Sequence, residues 1–592
     1  MQTETIADPP QQAAGAGPSE PRPRSHRVHI WAATGLIALG VAIRTTLIAL
    51  GWPETNSDEG FIGLMGLHIA YRGELPTFYP GQFYMGPHEA FLGAALFKLF
   101  GTSLFVLRLG MVLLFAVFLI SSYLFTRLVY GPRWALVTLA LLALGSPYVF
   151  ARELSAIGGY GETLAVSSLL FLIAAKLVTA YRPYRVFREC RWRLAAYAAW
   201  GVLAGTGLWS DLLIAPFALM SGVVLVLYCR REFVQLAAPV IAGAGLVLGM
   251  FPLLWFNLHA APGTDTLTTL SVVRGTPPEG LEAKLHALWD AVRVSVPMMT
   301  GEPFCQANEL AAIGPTTSWA RPCSLTRAGW GTGYMLLLGV ATLLAAWLLW
   351  RAWRNRRTEP TGSRRPSLHL AMLLAALITF YLFAFSNAAV VWPAIHARYL
   401  IGFVIALPAV FRPLAEGYGW AKERAGLFPK LLRLVCGAGV LGYGLALVLG
   451  TGAAFADVPR VREVNRNDAA LVDTLHREGV QHFYSDYWIC AKIAFRAEER
   501  ITCASTNEAL DMGPGQNRYF QYWVDTTADP HAAYVFADNP CRSLPWFSCK
   551  GSEFLQKAGG TYRLPAVEAI LDKAGKTYRV EHVDGYVIYL VN

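Results

Sequence analysis

Charged side chains are scarce in this chain. They make up 15% of its 592 residues, whereas 54% of the residues are hydrophobic. A water-soluble domain normally carries about 25% charged residues, so this composition excludes a soluble globular protein of the same size. Runs of roughly 18 to 25 apolar residues, each long enough to cross a bilayer as a helix, recur along the chain. The expected fold class is an α-helical polytopic membrane protein.

Two familiar site patterns are missing as well. No G-x-G-x-x-G motif follows a strand-like run, which excludes a Rossmann-type nucleotide site. No short metal-ligand spacing occurs, so any divalent metal ion would need ligands from distant segments. The net charge of +10 comes from short Lys/Arg clusters between the apolar runs. Such clusters indicate membrane topology and not a nucleic-acid partner.

The charge pattern also orients the chain. Residues 1–28 are rich in Pro, Ala, Gln and Ser and are expected to form a disordered cytoplasmic tail, with Arg22, Arg24 and Arg27 on the inner side. Eleven spans are predicted, at about 29–51, 103–129, 133–150, 161–180, 194–209, 212–228, 233–256, 331–350, 367–387, 399–417 and 431–455. With these spans, every Lys/Arg cluster falls on the cytoplasmic side. The clusters lie at 127–133, 182–193, 230–231, 351–365 and 422–433.

Three long segments then fall on the outer side: 52–102, 257–330 and the tail 456–592. The short apolar stretch 87–100 would invert all later loops if it were a span, so it is expected to be an interfacial helix. In the tail, 468–479 has a helical pattern, 482–487 and 532–537 are strand-like, and 577–591 predicts a hairpin turning at Asp584-Gly585. A small extracytoplasmic α/β domain is therefore expected after the 29–455 membrane domain.

Nine cysteines divide between the two sides of the membrane. Cys190, Cys229 and Cys436 fall in cytoplasmic or intramembrane positions. The other six fall in outer segments as neighbours, which suits disulfides in an oxidising compartment. The predicted bridges are Cys305–Cys323, Cys490–Cys503 and Cys541–Cys549. The alternative is that these six are unpaired small core residues.

Several polar residues stand at the ends of apolar runs. Asp58 and Glu59 follow the first span and begin an amphipathic helix, which Ser57 or Asp58 could simply cap. Arg44 lies inside the first span, where a charge is costly and either faces a cavity or snorkels to the interface. Asp211 sits in a tight outer turn, as a site residue or an ordinary cap.

The first outer segment resembles that of the C-type glycosyltransferases, which include protein O-mannosyltransferases and lipid A aminoarabinose transferases. The shared features are an acid just after the first span, a following helix, an aromatic Gly/Pro-rich stretch and a short K-L-F-G helix end. The likeness is strongest in D-E-G at 58–60 and in G-Q-F-Y-M-G-P-H-E-A at 81–90. It covers about residues 29–210 well and the later spans loosely, and it says little about substrate.

The resemblance implies an inner-membrane enzyme that moves a sugar, with inversion, from a polyprenyl phosphate to an outer glycan, lipid or protein. Such a transfer needs a base for the acceptor proton and a cation for the departing phosphate. The candidate catalytic acids are Asp58 as base, Glu59 to orient it or face water, and Glu162. The candidate phosphate-binding residues are Arg398, His396, Arg44 and Arg152. The candidate substrate-binding residues are Gln82, Tyr84, His88 and Glu89, and the candidate metal ligands are His88, Glu89 and His396. Candidates to stack on sugar rings are Phe78, Tyr79, Phe83 and Tyr84.

Each assignment has a plainer alternative. Arg398, in W-P-A-I-H-A-R-Y-L, could be an interfacial arginine within an aromatic belt of Trp392 and Tyr399. Glu162 could be a favourable charge at a helix N-terminus. For the whole chain, the alternatives are a lipid-glycan transporter or flippase and a non-catalytic lipid-glycan binder. Against a transporter, the sequence shows no paired hydropathy repeats and no Gly/Pro-broken spans at matching positions.

Overall fold

Helices follow the apolar runs of the sequence in this computed structural model. It describes residues 23–181, 187–235, 237–305, 321–355, 357–359, 361–391, 393–506, 510, 517–538 and 563–592. The first part of the chain contains α1 Pro23–Ala49, α2 Ser57–Leu67, α3 His88–Phe100, α4 Leu104–Tyr130, α5 Pro132–Ala143, α6 Pro147–Leu154, α7 Tyr160–Thr179, α8 Phe187–Ser210, α9 Ala215–Gln235, α10 Ala238–Gly249 and α11 Phe251–His259. It continues with α12 Thr266–Arg274, α13 Gly280–Asp290, α14 Val296–Met299, α15 Arg321–Arg354, α16 Arg364–Ala384, α17 Ala388–Val391, α18 Pro393–His396, α19 Gly402–Val410, α20 Arg412–Lys422 and α21 Leu427–Ala456.

The chain is a multi-pass membrane protein. Within the described ranges, seven helices are long and apolar enough to cross a membrane, and the number is ten if each of three bent helix pairs is one span. Eleven spans were predicted, and each coincides with a helix or a bent pair. The predicted span 194–209 corresponds to α8, which is not among the ten.

Three predicted spans are interrupted rather than continuous. The bends are 87° between α5 and α6, 63° between α10 and α11, and 60° between Pro393–Leu400 and Gly402–Lys422. Proline stands at the start of α6 and near the start of α11, where its ring and missing N–H prevent the preceding helix from continuing. Broken spans therefore occur, whereas the expectation that none stand at matching positions of two halves stays a prediction.

Two expectations near the N-terminus have different outcomes. Helix α1 begins at Pro23, so the predicted disorder is wrong for 23–28, and residues 1–22 lie outside the described part. The segment 87–100 is the helix α3, as predicted. Its interfacial location stays a prediction.

The tail forms an α/β unit with one mixed sheet. Its elements are α22 Val458–Arg477, β1 His482–Ser485, α23 Tyr487–Arg496, β2 Thr502–Ser505, α24 Phe520–Ala528, β3 Ala533–Ala537, α25 Arg563–Lys573, β4 Tyr578–Val583 and β5 Tyr586–Val591. The strand order is β2-β1-β3-β5-β4, with β1 parallel to β2 and β3 and with β5 antiparallel to its neighbours. The predicted strands and the hairpin are confirmed, whereas β2, α23, α24 and α25 were not predicted.

Two of the three predicted disulfides are present, Cys305–Cys323 and Cys490–Cys503. Cys229 and Cys436 are free and buried, and Cys190 is buried, as expected for the other side or the bilayer. The predicted pair Cys541–Cys549 lies outside the described residues.

Helix α2 lies between the membrane helices and the tail. Its apolar residues join one core cluster with α3 and α23, in which Phe97 of α3 and Phe495 of α23 have ring centroids 6.1 Å apart. Because Asp58 is the second residue of α2, this packing places the predicted base where the two parts of the chain meet.

Candidate functional site

Asp58 is not the cap of α2. The N-cap is Asn56, whose side chain accepts a hydrogen bond from the Glu59 N–H at 3.0 Å. Ser57 Oγ accepts from the Ala491 N–H of α23 at 3.1 Å. With the cap supplied by Asn56, the half-buried carboxylate of Asp58 is available for another role. Its Oδ1 accepts a hydrogen bond of 2.5 Å from the Tyr487 hydroxyl.

Glu59 has a different environment. It is fully buried, and its two oxygens accept from Arg108 Nε at 2.9 Å and from Arg108 Nη2 at 2.6 Å. The Ala156 N–H donates to the same carboxylate at 3.1 Å. Glu59 therefore holds α2 to α4 through a buried ion pair, and the expectation that it faces water is wrong.

Two guanidinium groups share the electrostatic environment of Asp58. The charge of Asp58 interacts with that of Arg398 and with that of Arg152. Arg398 Cζ lies 5.5 Å from the centre of the Tyr399 ring, and within the described residues its buried Nε has no hydrogen-bond partner. Arg152 Cζ lies 5.1 Å from the Tyr148 ring. An acid beside two cations can take up a proton while an anion is held next to it.

Tyr148 fixes the position of the arginine-bearing segment. Its hydroxyl donates to the backbone carbonyls of Ala394 and Ile395, each at 3.1 Å. The His396 ring stacks on Tyr399, with centroids 5.3 Å apart, and its Nδ1 lies 3.2 Å from the Ala388 carbonyl oxygen. His396 thus supports the segment that carries Arg398.

Arg44 is part of the internal packing. Its Nε and Nη2 donate to Glu153 Oε2 at 2.9 and 2.6 Å, and its Nη1 donates to the Ala143 carbonyl at 2.8 Å. Its Cζ lies 3.4 Å from the centre of the Phe115 ring. Because these groups engage the guanidinium inside the bundle, neither a phosphate contact nor snorkelling describes Arg44.

The predicted substrate-binding element 81–90 interacts with the charge of Arg398 through Tyr84 and with the carboxyl of Glu162 through Glu89. The Tyr84 hydroxyl donates to Gln82 Oε1 at 3.2 Å, and Tyr84 interacts electrostatically with Arg398 and Asp211. Glu89 is buried and accepts from the Gly158 N–H at 2.9 Å. Burial first, and then the neighbouring carboxyl of Glu162, raise the pKa of Glu89 well above its ordinary value.

His88 and Asp211 border this group of carboxyls. The His88 ring lies 4.4 Å from the Trp209 ring, and burial lowers the pKa of His88 to about 4, so the imidazole is neutral at neutral pH. Asp211 Oδ1 accepts from the Leu213 N–H at 2.8 Å, and burial raises the pKa of Asp211 to about 6. Asp211 thus caps the following turn, and its charge interacts both with the Arg398 guanidinium and with the carboxyl of Glu162.

The predicted metal ligands are not brought together. In the part of the chain that the structure describes, no group of three or more His, Cys, Asp or Glu side chains could hold a metal ion. His88 lies against Trp209, whereas His396 lies against Tyr399. The ligand set of His88, Glu89 and His396 is therefore wrong.

Three of the four aromatic candidates for sugar stacking pack against protein. Phe78 and Phe83 contact Phe256 of α11, with ring centroids 4.9 and 5.2 Å apart. Tyr79 is buried beneath Arg518, whose Cζ lies 4.7 Å from its ring centre. The fourth candidate, Tyr84, interacts electrostatically with Arg398.

The fold of the chain is similar to that of ArnT from Cupriavidus metallidurans. The ArnT structure bound to undecaprenyl phosphate matches with a TM-score of 0.51 and 13% identity, over 96% of this chain and 98% of that chain. The apo ArnT structure matches with a TM-score of 0.51 and 15% identity, over 94% and 98%. The chain therefore shares the fold of these ArnT structures over nearly its whole length. At this identity the likeness concerns the fold alone.

The oligosaccharyltransferase of Archaeoglobus fulgidus in the apo form matches with a TM-score of 0.47 and 12% identity, over 90% of this chain and 72% of that chain, too low to carry an argument. No family model and no curated protein sequence matches the chain.

Sequence reasoning missed the residues that the tail adds to the site. Tyr487 and Arg518 reach the Asp58 site although they lie more than 400 positions along the chain. One signal was available for Tyr487, because it follows β1, and residues after the carboxyl ends of parallel strands often line sites. Arg108, the partner of Glu59, lay within an apolar run and gave no comparable signal.

Proposed function

We propose that this chain transfers a sugar from a polyprenyl-phosphate donor to an extracytoplasmic acceptor with inversion, with Asp58 as the base. The observation that carries the proposal is the buried Nε of Arg398, which has no hydrogen-bond partner in the described part of the chain. A buried guanidinium donor is normally satisfied by an acceptor, and a phosphate oxygen suits it well. The electrostatic interaction between Arg398 and Asp58 supports an anion site close to a carboxylate.

The proposed reaction uses these groups together. The acceptor oxygen or nitrogen attacks the anomeric carbon on the face opposite the phosphate, which inverts the configuration. Asp58 takes the acceptor proton, and the bond between the anomeric carbon and the phosphate oxygen breaks with its electron pair on the phosphate. Arg398 and Arg152 stabilise the negative charge that the departing lipid phosphate carries.

The outer side of the membrane is the proposed location of this reaction. Disulfides persist in oxidising compartments, and Cys490–Cys503 lies in the tail that contacts Asp58. The second bridge, Cys305–Cys323, belongs to the other predicted outer segment. Both therefore support an extracytoplasmic site, with the donor lipid and the acceptor reaching it from the bilayer or the outer space.

The experiment compares cell-envelope glycans by mass spectrometry in cells that carry the wild-type chain, Asp58→Asn or no chain. Loss of a positioned base lowers the rate by about 10² to 10⁴, so the glycan product that depends on this chain should disappear in Asp58→Asn at normal membrane abundance. The matched control is Asp473→Asn, an exposed acid on α22, which should retain the product. An unchanged product in Asp58→Asn would refute the base assignment.

A further inference from the structure

The tail supplies the hydrogen bond to the Asp58 carboxylate. Tyr487 is the first residue of α23, directly after Asp486, whose side chain caps that helix by accepting from the N–H groups of Trp488 and Ile489. The Tyr487 hydroxyl lies 2.5 Å from Asp58 Oδ1. Its ring stacks on Phe61 of α2, with centroids 6.1 Å apart. The cap and the ring contact together fix where the hydroxyl points.

Arg518 determines the direction of this hydrogen bond. Its Nε donates to the Tyr487 oxygen at 2.9 Å, and its Nη1 donates to the Pro80 carbonyl at 3.0 Å. A guanidinium has no acceptor, so the phenol oxygen accepts from Arg518 and the phenol proton is left for Asp58. Burial, followed by the charge of Asp58, raises the pKa of Tyr487 above its ordinary value, so the proton stays on the phenol.

The contact between α2 and α23 is rigid around this pair. The Ala491 N–H donates to Ser57 Oγ at 3.1 Å, and a methyl group on Gly60 would lie 2.5 Å from the carbonyl carbon of Ala491. One turn along α23 from Tyr487, Cys490 is joined to Cys503 of β2. The hydroxyl is thus held by the folded tail and not by the membrane helices.

We infer that Tyr487 is a positioning residue for the base, oriented in turn by Arg518. With Oδ1 held by the phenol, the other oxygen of Asp58 is directed to the acceptor. The Asp58 carboxylate then has this orientation only when the tail packs against α2. The inference rests on the proposed function, since it assigns the tail a part in the same reaction. The other groups whose charges reach Asp58 are Arg152, Arg398 and Tyr79.

The direct test is carbodiimide labelling of Asp58 in the purified full-length chain. Dicyclohexylcarbodiimide reacts with protonated carboxyls, so tandem mass spectrometry gives the pH of half-maximal labelling. Tyr487→Phe keeps the ring and removes a hydrogen bond to the carboxylate, which favours the protonated form. The midpoint should rise by about one pH unit. Arg518→Gln should raise it as well, because the phenol is then a weaker donor.

Tyr522→Phe is the matched control. The Tyr522 hydroxyl bonds Glu499, which also contacts His68 after α2, so this variant affects docking of the tail without touching Asp58. It should leave the labelling midpoint of Asp58 unchanged. Equal midpoints in the wild type, Tyr487→Phe and Arg518→Gln would overturn the inference.

The glycan readout separates this inference from the proposed function. Misaiming a catalytic group costs about tenfold to a hundredfold in rate, so Tyr487→Phe should form product correspondingly more slowly while Asp58→Asn forms none. If Asp58→Asn is inactive and Tyr487→Phe is as fast as the wild type, the positioning role is wrong and the proposed function stands. If Asp58→Asn is active, the proposed base is wrong, whatever the labelling shows.

Discussion

Asp58 and Glu59 are adjacent acids with opposite surroundings. Neighbouring residues on a helix point about 100° apart, so Glu59 turns into the bundle and Asp58 turns toward the tail. Glu59 pairs with Arg108, both fully buried. Removing one member of a buried pair typically costs about 3–5 kcal/mol because a lone charge remains. Glu59 therefore contributes to stability, which leaves Asp58 as the acid of this pair that we propose as the base.

Arginines show the same division. Arg44, Arg108 and Arg193 each form a buried ion pair with a glutamate. Such a guanidinium is already neutralised and contributes to packing. Arg398 differs, because its Nε has no hydrogen-bond partner within the described residues and its Cζ lies 5.5 Å from the centre of the Tyr399 ring. The type of residue alone could not distinguish these two groups.

Arg398→Gln should weaken binding of undecaprenyl phosphate. A hydrogen bond to a charged group is worth about 1.5–3 kcal/mol, so the dissociation constant should rise roughly tenfold to a hundredfold. Ligand-induced thermal stabilisation of the purified protein measures it, with undecaprenol, which lacks the phosphate, as the control ligand. Arg433→Gln, an exposed arginine on α21, should bind as the wild type does. Equal affinity in Arg398→Gln would contradict a phosphate site there.

At the scale of elements, α2 is a contact helix with glycines on one face. Methyl groups on Gly60, Gly63 and Gly66 would lie 2.5 Å from Ala491, 2.6 Å from Phe495 and 2.9 Å from Phe97. Residues three apart lie on one side of a helix, so this spacing lets α23 and α3 approach α2 closely. The close approach brings the Tyr487 hydroxyl to Asp58.

Gly60→Ala should loosen the tail from α2. The added methyl group meets backbone atoms of Ala491 and Lys492, which cannot rotate away, and overpacking of this kind costs about 1–3 kcal/mol. Hydrogen exchange should speed up in α2 and α23, and the temperature of thermal unfolding should fall. Gly35→Ala in α1, where the methyl group meets nothing within 4 Å, should change neither. Unaltered exchange in Gly60→Ala would show that the contact is not tight.

For the whole molecule, cysteine pairing reports on both fold and compartment. The bridges Cys305–Cys323 and Cys490–Cys503 lie in predicted outer segments, whereas the free cysteines lie in the membrane part. This division agrees with the orientation that the Lys/Arg clusters predict.

Alkylation before and after reduction, read by mass spectrometry on the denatured protein from membranes, should reproduce this division. Cys229 and Cys436 should react before reduction, because they are free thiols once exposed. Cys305, Cys323, Cys490 and Cys503 should react only after reduction. Free thiols at all four positions would place the outer segments in a reducing compartment and contradict the orientation.

The sequence by itself determined the features that depend on local composition and spacing. Apolar runs predicted the helices, alternation predicted β3 and the β4–β5 hairpin, and cysteine spacing predicted two disulfides. The position of Asp58 after the first span marked it as the acid to examine. These signals are local, because a few neighbouring residues decide helix, strand or turn.

The tertiary structure alone decided what surrounds each polar group. It placed Glu59 against Arg108 and Arg44 against Glu153, and it brought Tyr487 to Asp58 from the tail. It also bent three predicted spans and left His88 and His396 in separate surroundings. These outcomes depend on contacts between residues that are distant in the chain. Burial and the partners of a charged side chain, rather than its residue type, determine whether it contributes to stability or to chemistry.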